Sequence, residues 1–260
     1  MALTFDTFSN RMPAQPPAKS PQEAKNYPFV SVITPTYNRR KFIPYLIAMY
    51  KNQNYPAHRM EWIILDDGSD PVDEFFKGLD IPNLRYIYEE EKQTIGAKRN
   101  RLNKESCGDI IVAMDDDDYY PPERVSTVVT AFKQNPSVQL AGSSEVFMYY
   151  SDIETIYKLG PYNKNHATNG TMAWRRAYAD SHQYDEYVTH AEERSFLDDY
   201  SHPMIQLNPL KVMLVMSHTE NTFDKKKMRE GPLTPLVKKT EMKLRDFIEE
   251  TSIREFFKNA

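Results

Sequence analysis

The sequence has a single cysteine, Cys107, in 260 residues. No intramolecular disulfide can form from it, which excludes a disulfide scaffold and a cysteine-rich zinc module and fits a reducing compartment. Glycine is also sparse, at 8 residues. Neither G-x-G-x-x-G nor G-x-x-x-x-G-K-[ST] occurs, which argues against a standard dinucleotide fold and a P-loop kinase. Long apolar runs are missing too: stretches such as Val212-Met213-Leu214-Val215-Met216 fall far short of the roughly 20 residues that cross a bilayer. Nor is there a positive excess. Lys plus Arg is 33 against 37 Asp plus Glu, a net charge of −4, so no global field exists for nucleic acid or anionic lipid and any anionic ligand must be gripped locally. Residues 1–27, rich in Pro, Ala and Gln, read as a tail before the first strand without the apolar stretch of a secretory signal, and a cytoplasmic location is expected.

What is present is a chain that is 40% apolar and 27% charged, large enough to bury a full core. Short β-branched runs at Val30–Thr34, Trp62–Leu65, Leu84–Tyr88 and Ile110–Met114 are separated by enough residues for helices or long crossovers, the rhythm of βαβ units. Phe42, Tyr45, Leu46, Met49 and Tyr50 recur at helical spacing, with Pro44 tolerated in the opening turn. Asp70-Pro71, Phe75, Phe76 and Gly78 predict a second, short helix. Pro121-Pro122 opens a third, whose Val125, Val128, Val129 and Phe132 form one stripe against a mostly parallel sheet. Longer strand-like pieces follow at Gln139–Tyr149 and Ile153–Leu159. After Phe223 the chain turns Lys-rich and then amphipathic, with Leu236, Leu244, Phe247, Ile248, Phe256 and Phe257 near helical register. This predicts a docked helical C-terminal tail, with a partner-binding or peripheral membrane-surface helix as the alternative.

Ligands of open α/β sheets bind beyond the carboxyl ends of the strands. Three polar clusters fall there: Thr34-Pro35-Thr36-Tyr37-Asn38-Arg39, Asp66-Asp67-Gly68-Ser69 and Asp115-Asp116-Asp117-Asp118. Any one of them alone reads as ordinary turn chemistry; their joint placement at one edge points to a site. Four adjacent carboxylates repel one another unless solvent or a cation takes up the charge. In extended chain Asp115 and Asp117 point the same way and, with ligand phosphate oxygens, can complete the octahedral shell of Mg2+ or Mn2+. An EF-hand calcium loop is excluded, because its sixth and twelfth positions counted from Asp115 are Tyr120 and Ser126 instead of Gly and Glu.

The residues Ser31-Val32-Ile33-Thr34-Pro35-Thr36-Tyr37-Asn38-Arg39, Ile64-Leu65-Asp66-Asp67-Gly68-Ser69, Gly96-Ala97-Lys98-Arg99-Asn100 and Met114-Asp115-Asp116-Asp117-Asp118, with Pro122 downstream, closely resemble family 2 glycosyltransferases. The resemblance spans about Phe29 to Phe223. It implies an α/β GT-A (nucleotide-diphospho-sugar transferase) fold, with a mostly parallel central sheet flanked by helices. The corresponding division is an N-terminal tail (1–27), a catalytic domain (28–223) with a nucleotide-binding half (28–120) and an acceptor-binding half (121–223), and a helical extension (224–260).

By the same resemblance, Thr34, Pro35, Thr36, Tyr37, Arg39 and Asp67 hold the nucleoside side of a UDP-sugar, with Tyr37 stacking on a uracil-like base and Asp67 accepting a ring N–H. Arg99, and with it Lys98, falls to the diphosphate. Asp115 lies near ribose and metal, Asp117 is the direct ligand of Mn2+ or Mg2+, and Asp116 is the substitute for Asp115. Glu192-Glu193 matches the family's acidic pair, whose second member is the catalytic base; the family commonly has Glu-Asp, so Glu192 is the runner-up. Asn169-Gly170-Thr171 resembles the glycine loop beside the acceptor, and His218 the histidine some members add to the metal shell. The activity implied is metal-dependent, inverting transfer to a hydroxyl of a glycan or other acceptor. Two rivals stay open: a sugar nucleotidyltransferase, which would release pyrophosphate, and a non-catalytic nucleotide-sugar or glycan-binding module.

Overall fold

A computed structural model describes residues 20–188, 191–218, 221, 225–230 and 235–260. Residues 1–19 of the expected tail, and Phe223 at the expected domain boundary, lie outside them. In chain order the described residues form α1 (Pro21–Asn26), β1 (Val30–Thr36), α2 (Ile43–Lys51), β2 (Met60–Asp66), β3 (Leu84–Tyr88), α3 (Ile95–Glu105), β4 (Ile110–Ala113) and α4 (Arg124–Gln134). Then come β5 (Leu140–Gly142), β6 (Val146–Tyr150), β7 (Thr155–Leu159), β8 (Ala173–Arg175), α5 (Arg176–Ala179) and α6 (Glu193–Phe196). The chain closes with β9 (Met204–Gln206), β10 (Leu214–Ser217), α7 (Lys227–Glu230), β11 (Val237–Lys239) and α8 (Thr251–Asn259).

Among these residues the main sheet has the order β3-β2-β1-β4-β8-β5-β9, with β3, β2, β1 and β4 all parallel. The strands are apolar on both faces because both faces are covered. Val30, Val32, Trp62, Ile64 and Val112 pack with the apolar stripes of α2 and α4, whereas their neighbours Ile33, Ile63, Leu65 and Ile111 pack with Leu102 of α3, Tyr178 of α5 and Phe196 of α6. The register pairs Thr36 with Asp66 and Ile33 with Ala113, so the loops after β1, β2 and β4 leave at one edge. Because β2 lies on one side of β1 and β4 on the other, that edge is where the winding reverses, the usual ligand crevice of such sheets.

A second sheet, β10-β6-β7-β11, packs into the same core as α2 and α4. Its link to the acidic loop is direct: Tyr119 and Leu214 exchange backbone hydrogen bonds at 3.0 and 2.9 Å. The predicted strand Gln139–Tyr149 is split into β5 and β6 at Ser143-Ser144, and the two halves enter different sheets. The helix predicted after Asp70 shrinks to a 3-10 turn, Asp73–Phe75, because Asp66 accepts from Val72 N and holds the segment close to β2. Part of the expected N-terminal tail is α1, capped by Ser20 accepting from Glu23 N at 3.1 Å. The C-terminal segment is docked: β11 pairs antiparallel with β7, and Ile248, Ile253 and Phe257 are buried in the core.

Gly96 is where α3 approaches the segment that follows α5. A Cβ there would strike the carbonyl oxygen of Asp185, a backbone atom with little room to move. Gly96→Ala is therefore expected to lower unfolding free energy by about 2 kcal/mol. A urea denaturation midpoint equal to wild type would show that the approach is looser.

Candidate functional site

The turn after β2 is built by Asp66, not Asp67. Asp66 accepts from Gly68 N at 2.9 Å, Val72 N at 3.1 Å and the Tyr86 hydroxyl at 2.5 Å. Burial nevertheless pushes its carboxyl above the ordinary range. Gly68 is needed because a Cβ would sit 2.7 Å from Asn38 Oδ1 and 2.8 Å from Asn38 N. Asp67 is thereby turned toward α3, accepting from Lys98 Nζ at 2.7 Å and from Gln93 N at 2.7 Å. Lys98 also donates to the Thr36 carbonyl at 3.1 Å and is only 6% exposed. Lys98 thus braces the turns after β1 and β2 together. Thr34 is likewise internal: Trp62 Nε1 donates to its hydroxyl at 3.0 Å, and the hydroxyl donates to Met114 O at 2.8 Å. Pro35 is buried within β1. Tyr37 is half-buried, with the Lys92 ammonium 4.1 Å from its ring centroid.

Arg99 is the hub of the site. It is 4% exposed, donates from Nε to Glu192 Oε1 at 2.9 Å, and meets Asp115 through NH1 at 3.0 Å and NH2 at 3.4 Å. With the Asn169 amide oriented so that its oxygen faces the guanidinium, Asn169 accepts from NH1 at 2.7 Å and donates to the Tyr184 hydroxyl at 2.7 Å. Burial disfavours the charge, but Asp115 and Glu192 outweigh it and hold the guanidinium protonated. Arg99 thus knits three sequence-predicted residues together: Asp115, Glu192 and Asn169. Arg39 differs: among the described residues its guanidinium makes no hydrogen bond, and its Nε lies 3.7 Å from Asp117 and 3.9 Å from Asp116.

The acidic quartet is not extended strand; it is a bend in which the four side chains part company. Asp115 faces Arg99, Asp116 faces Arg39, and Asp118 accepts from Met216 N at 2.8 Å with Lys225 Nζ 3.7 Å away. Asp117 Oδ2 lies 3.2 Å from His218 Nε2 and 3.3 Å from Asn221 Nδ2. Burial opposes ionisation of Asp117, yet the His218 contact, Lys225 and Arg39 together hold its carboxyl low. Burial and then the charge of Asp117 push Asp116 the other way. Repulsion within the quartet is thus relieved by separate cationic partners, with Asp116 and Asp117 pushed in opposite directions.

The donors fit a hard divalent cation at Asp117 and His218. The 3.2 Å between Asp117 Oδ2 and His218 Nε2 is close to the edge of an octahedron with bonds of about 2.1 Å, roughly 3.0 Å. Asn221 Nδ2 also reaches His218 Nε2 at 2.8 Å. That nitrogen has one lone pair, so to hold a cation it would turn from Asn221, whose Nδ2 also lies within 3.3 Å of Asp117 Oδ2. No grouping of three or more His, Cys, Asp or Glu suited to a metal occurs among the described residues, so phosphate oxygens and water would fill the other positions.

On the acceptor side, Glu192 stands at the N-cap position of α6 and is 8% exposed, its side chain tied to Arg99 instead of capping the helix. Ala191 before it adopts a left-handed φ of 54°, and Asp198, Asp199 and Tyr200 after the helix share that conformation, at 48°, 52° and 62°. Strained residues thus bracket the acidic pair. Glu193, half-buried, is pushed up to about 7 by burial and then by the charge of Glu192. Asn169, Gly170 and Thr171 form a buried 3-10 turn beside Asp115; Thr171 Oγ1 donates to Thr168 O at 2.7 Å and accepts from Ser143 N at 3.0 Å.

Sequence reasoning missed the supporting groups. Arg124 is fully buried and donates from NH2 to the carbonyls of Ala113, Gly170 and Met172 at 3.2, 3.3 and 2.7 Å. It ties the end of β4 to the acceptor-side turn, and burial pushes its guanidinium down to about 10. The signal was available, since Arg124 lies one helical turn before Val128 on the buried stripe of α4. Tyr184, Asn221 and Lys225 carried no such signal.

Residues 31–182 match the family described as Glycosyl transferase family 2. The chain is 32% identical over 131 residues to the putative colanic acid biosynthesis glycosyl transferase WcaA of Escherichia coli K12, covering 49% of this chain and 44% of that protein. It is 31% identical over 129 residues to glycosyltransferase AglE of Haloferax volcanii, covering 47% and 41%. The chain therefore spans less than half the length of these curated relatives. Among solved structures, mannosyltransferase PcManGT from Pyrobaculum calidifontis, in complex with GDP-Man and Mn2+, is similar with a TM-score of 0.59 at 17% identity, over 80% of this chain and 66% of that one. S. aureus TarS 1-349 in complex with UDP-GlcNAc gives 0.58 at 18%, over 79% and 62%. The fold is that of GT-A glycosyltransferases.

Proposed function

The chain belongs to glycosyl transferase family 2, and from that premise we propose that it moves a sugar from a UDP-sugar to a hydroxyl of a glycan acceptor, with inversion, in a reaction dependent on Mn2+ or Mg2+. The observation that carries this reading is the division of labour among the carboxylates of the site: Asp117 is held low beside His218, Glu192 is committed to Arg99, and Glu193 is set near 7.

Tyr37 and Asp67 take the nucleoside side. Arg39, free of hydrogen bonds among the described residues, is the cation for the diphosphate, which a planar guanidinium grips through two oxygens. Asp117 and His218 hold the divalent ion, which when bound supplies Lewis-acid stabilisation of the departing phosphate. Glu193 takes the proton from the acceptor hydroxyl at its carboxylate, within the pH range where a base of pKa near 7 works best. Arg99 keeps Glu192, Asp115 and Asn169 in place. With Glu193 as the base, the acceptor oxygen attacks the anomeric carbon directly as the phosphate leaves from the opposite face, which inverts the configuration. No helix among the described residues is long and apolar enough to cross a membrane. The single reduced cysteine supports a cytoplasmic site of action.

Calorimetry with UDP, GDP and their sugars in the presence of Mn2+, followed by NMR of the product's anomeric configuration, tests the reading. Expected are chelator-sensitive heats for UDP and an inverted product; a retained configuration, or pyrophosphate release from a nucleoside triphosphate, would overturn it. A GDP-sugar is the second reading, since PcManGT holds GDP-Man, and heats for GDP alone would favour it.

A further inference from the structure

α8 reaches the cation site without touching it. The ring of Phe256 stacks on Tyr45 at a centroid distance of 3.8 Å and meets Phe42 edge-on at 5.3 Å. Phe42, 1% exposed, lies 4.8 Å from the His218 imidazole at an interplanar angle of 41°. His218 in turn stands 3.2 Å from Asp117, its side chain 1% exposed. Phe42 is thus the wall against which the imidazole rests, and it follows Arg39 by one 3-10 turn, Arg40–Phe42. The remainder of α8 is anchored separately. Ile253 and Phe257 are buried in the core, and Ser151 Oγ donates to the carbonyl of Ala260 at 3.3 Å.

A histidine that shares a cation with one carboxylate has to be held in a single rotamer, because every wrong orientation lowers the fraction of protein competent to bind. His218 N donates to Asn221 Oδ1 at 2.8 Å, which places the backbone, and the imidazole plane packs against the Phe42 ring. We propose that Phe42 and Phe256 are positioning residues for the cation–nucleotide site: α8 presses Phe256 onto Phe42, Phe42 orients His218, and the C-terminal helix thereby sets the affinity for the divalent ion. The inference rests on the reading that Asp117 and His218 hold that ion.

The test is Mn2+ titrated into the full chain with UDP present, followed by calorimetry and by the paramagnetic resonance signal of free Mn2+. Wild type, Phe256→Ala, Phe256→Tyr, Ile253→Ala and Asp117→Asn are compared, with melting temperatures recorded for each. Phe256→Ala is expected to weaken Mn2+ about tenfold, the scale of losing a group that orients a ligand, and Phe256→Tyr, which keeps the ring, to restore wild-type affinity. Ile253→Ala removes a buried side chain from the same helix that makes no ring contact with Phe42; it should lower the melting temperature and leave Mn2+ affinity unchanged. Wild-type affinity in Phe256→Ala, or an equal loss in Ile253→Ala, overturns the inference while leaving the site itself standing. Should wild type lack UDP-dependent Mn2+ binding, or Asp117→Asn retain it, the reading of the site fails and the inference falls with it.

Discussion

Glu193→Gln is expected to lower kcat by about 10²- to 10⁴-fold, the range a positioned general base contributes, while Mn2+-dependent nucleotide binding survives. The variant keeps the shape of the side chain and its place at the start of α6 and removes only the ability to take a proton. Burial and the neighbouring Glu192 raise the Glu193 carboxyl from 4.5 to about 7, and the base acts in its ionised form. The rate should therefore fall as pH drops through about 7, well above where an ordinary carboxylate titrates. That limb should vanish in Glu193→Gln. Glu192→Gln makes an informative contrast, because Glu192 accepts from Arg99 Nε at 2.9 Å; its loss should disturb KM and kcat together. Near-normal turnover in Glu193→Gln, with an unchanged pH limb, would move the base elsewhere.

The difference between the two glutamates shows where the sequence stops being legible. The strands that carry the site were readable because a buried parallel sheet demands uninterrupted apolar runs, and the turn after each was marked by Asp, Gly, Asn and Thr. Placing those turns at one edge needed only the alternation of strand and crossover. What each polar side chain does there was not readable, because it depends on partners far away in sequence. Arg99 and Lys98 are adjacent and basic, and both were expected at the diphosphate. One closes on Asp115 and Glu192, the other on Asp67 and the Thr36 carbonyl. Neighbours on a helix point about 100° apart, so they face different clusters. The same holds for the acidic quartet, in which a bend instead of a strand sends Asp118 to β10 and Asp117 to His218. The C-terminal tail was legible as amphipathic, but its apolar face is shared between the core and the wall behind His218.

Asp117→Asn is expected to weaken Mn2+-dependent UDP binding by at least about 100-fold, since losing a direct ligand should exceed the 10- to 100-fold cost of losing a group that merely orients one. The argument turns on charge, not shape. Asparagine keeps an oxygen 3.2 Å from His218 Nε2 but gives up the anionic partner that a hard cation selects. It also removes the charge that Arg39 faces at 3.7 Å, leaving that guanidinium freer to draw in a nucleotide without metal. The variant should therefore lose the chelator-sensitive part of the binding heat and keep, or gain, a weak part that EDTA does not touch. Asp115→Asn separates the alternatives. Asp115 pairs with Arg99 instead of His218, so its loss should loosen the hub and lower kcat while much of the Mn2+ response remains. If Asp115→Asn abolishes the Mn2+ response and Asp117→Asn spares it, the cation sits on the Arg99 side of the bend. The charge relief now provided by Arg99 would then belong to the metal.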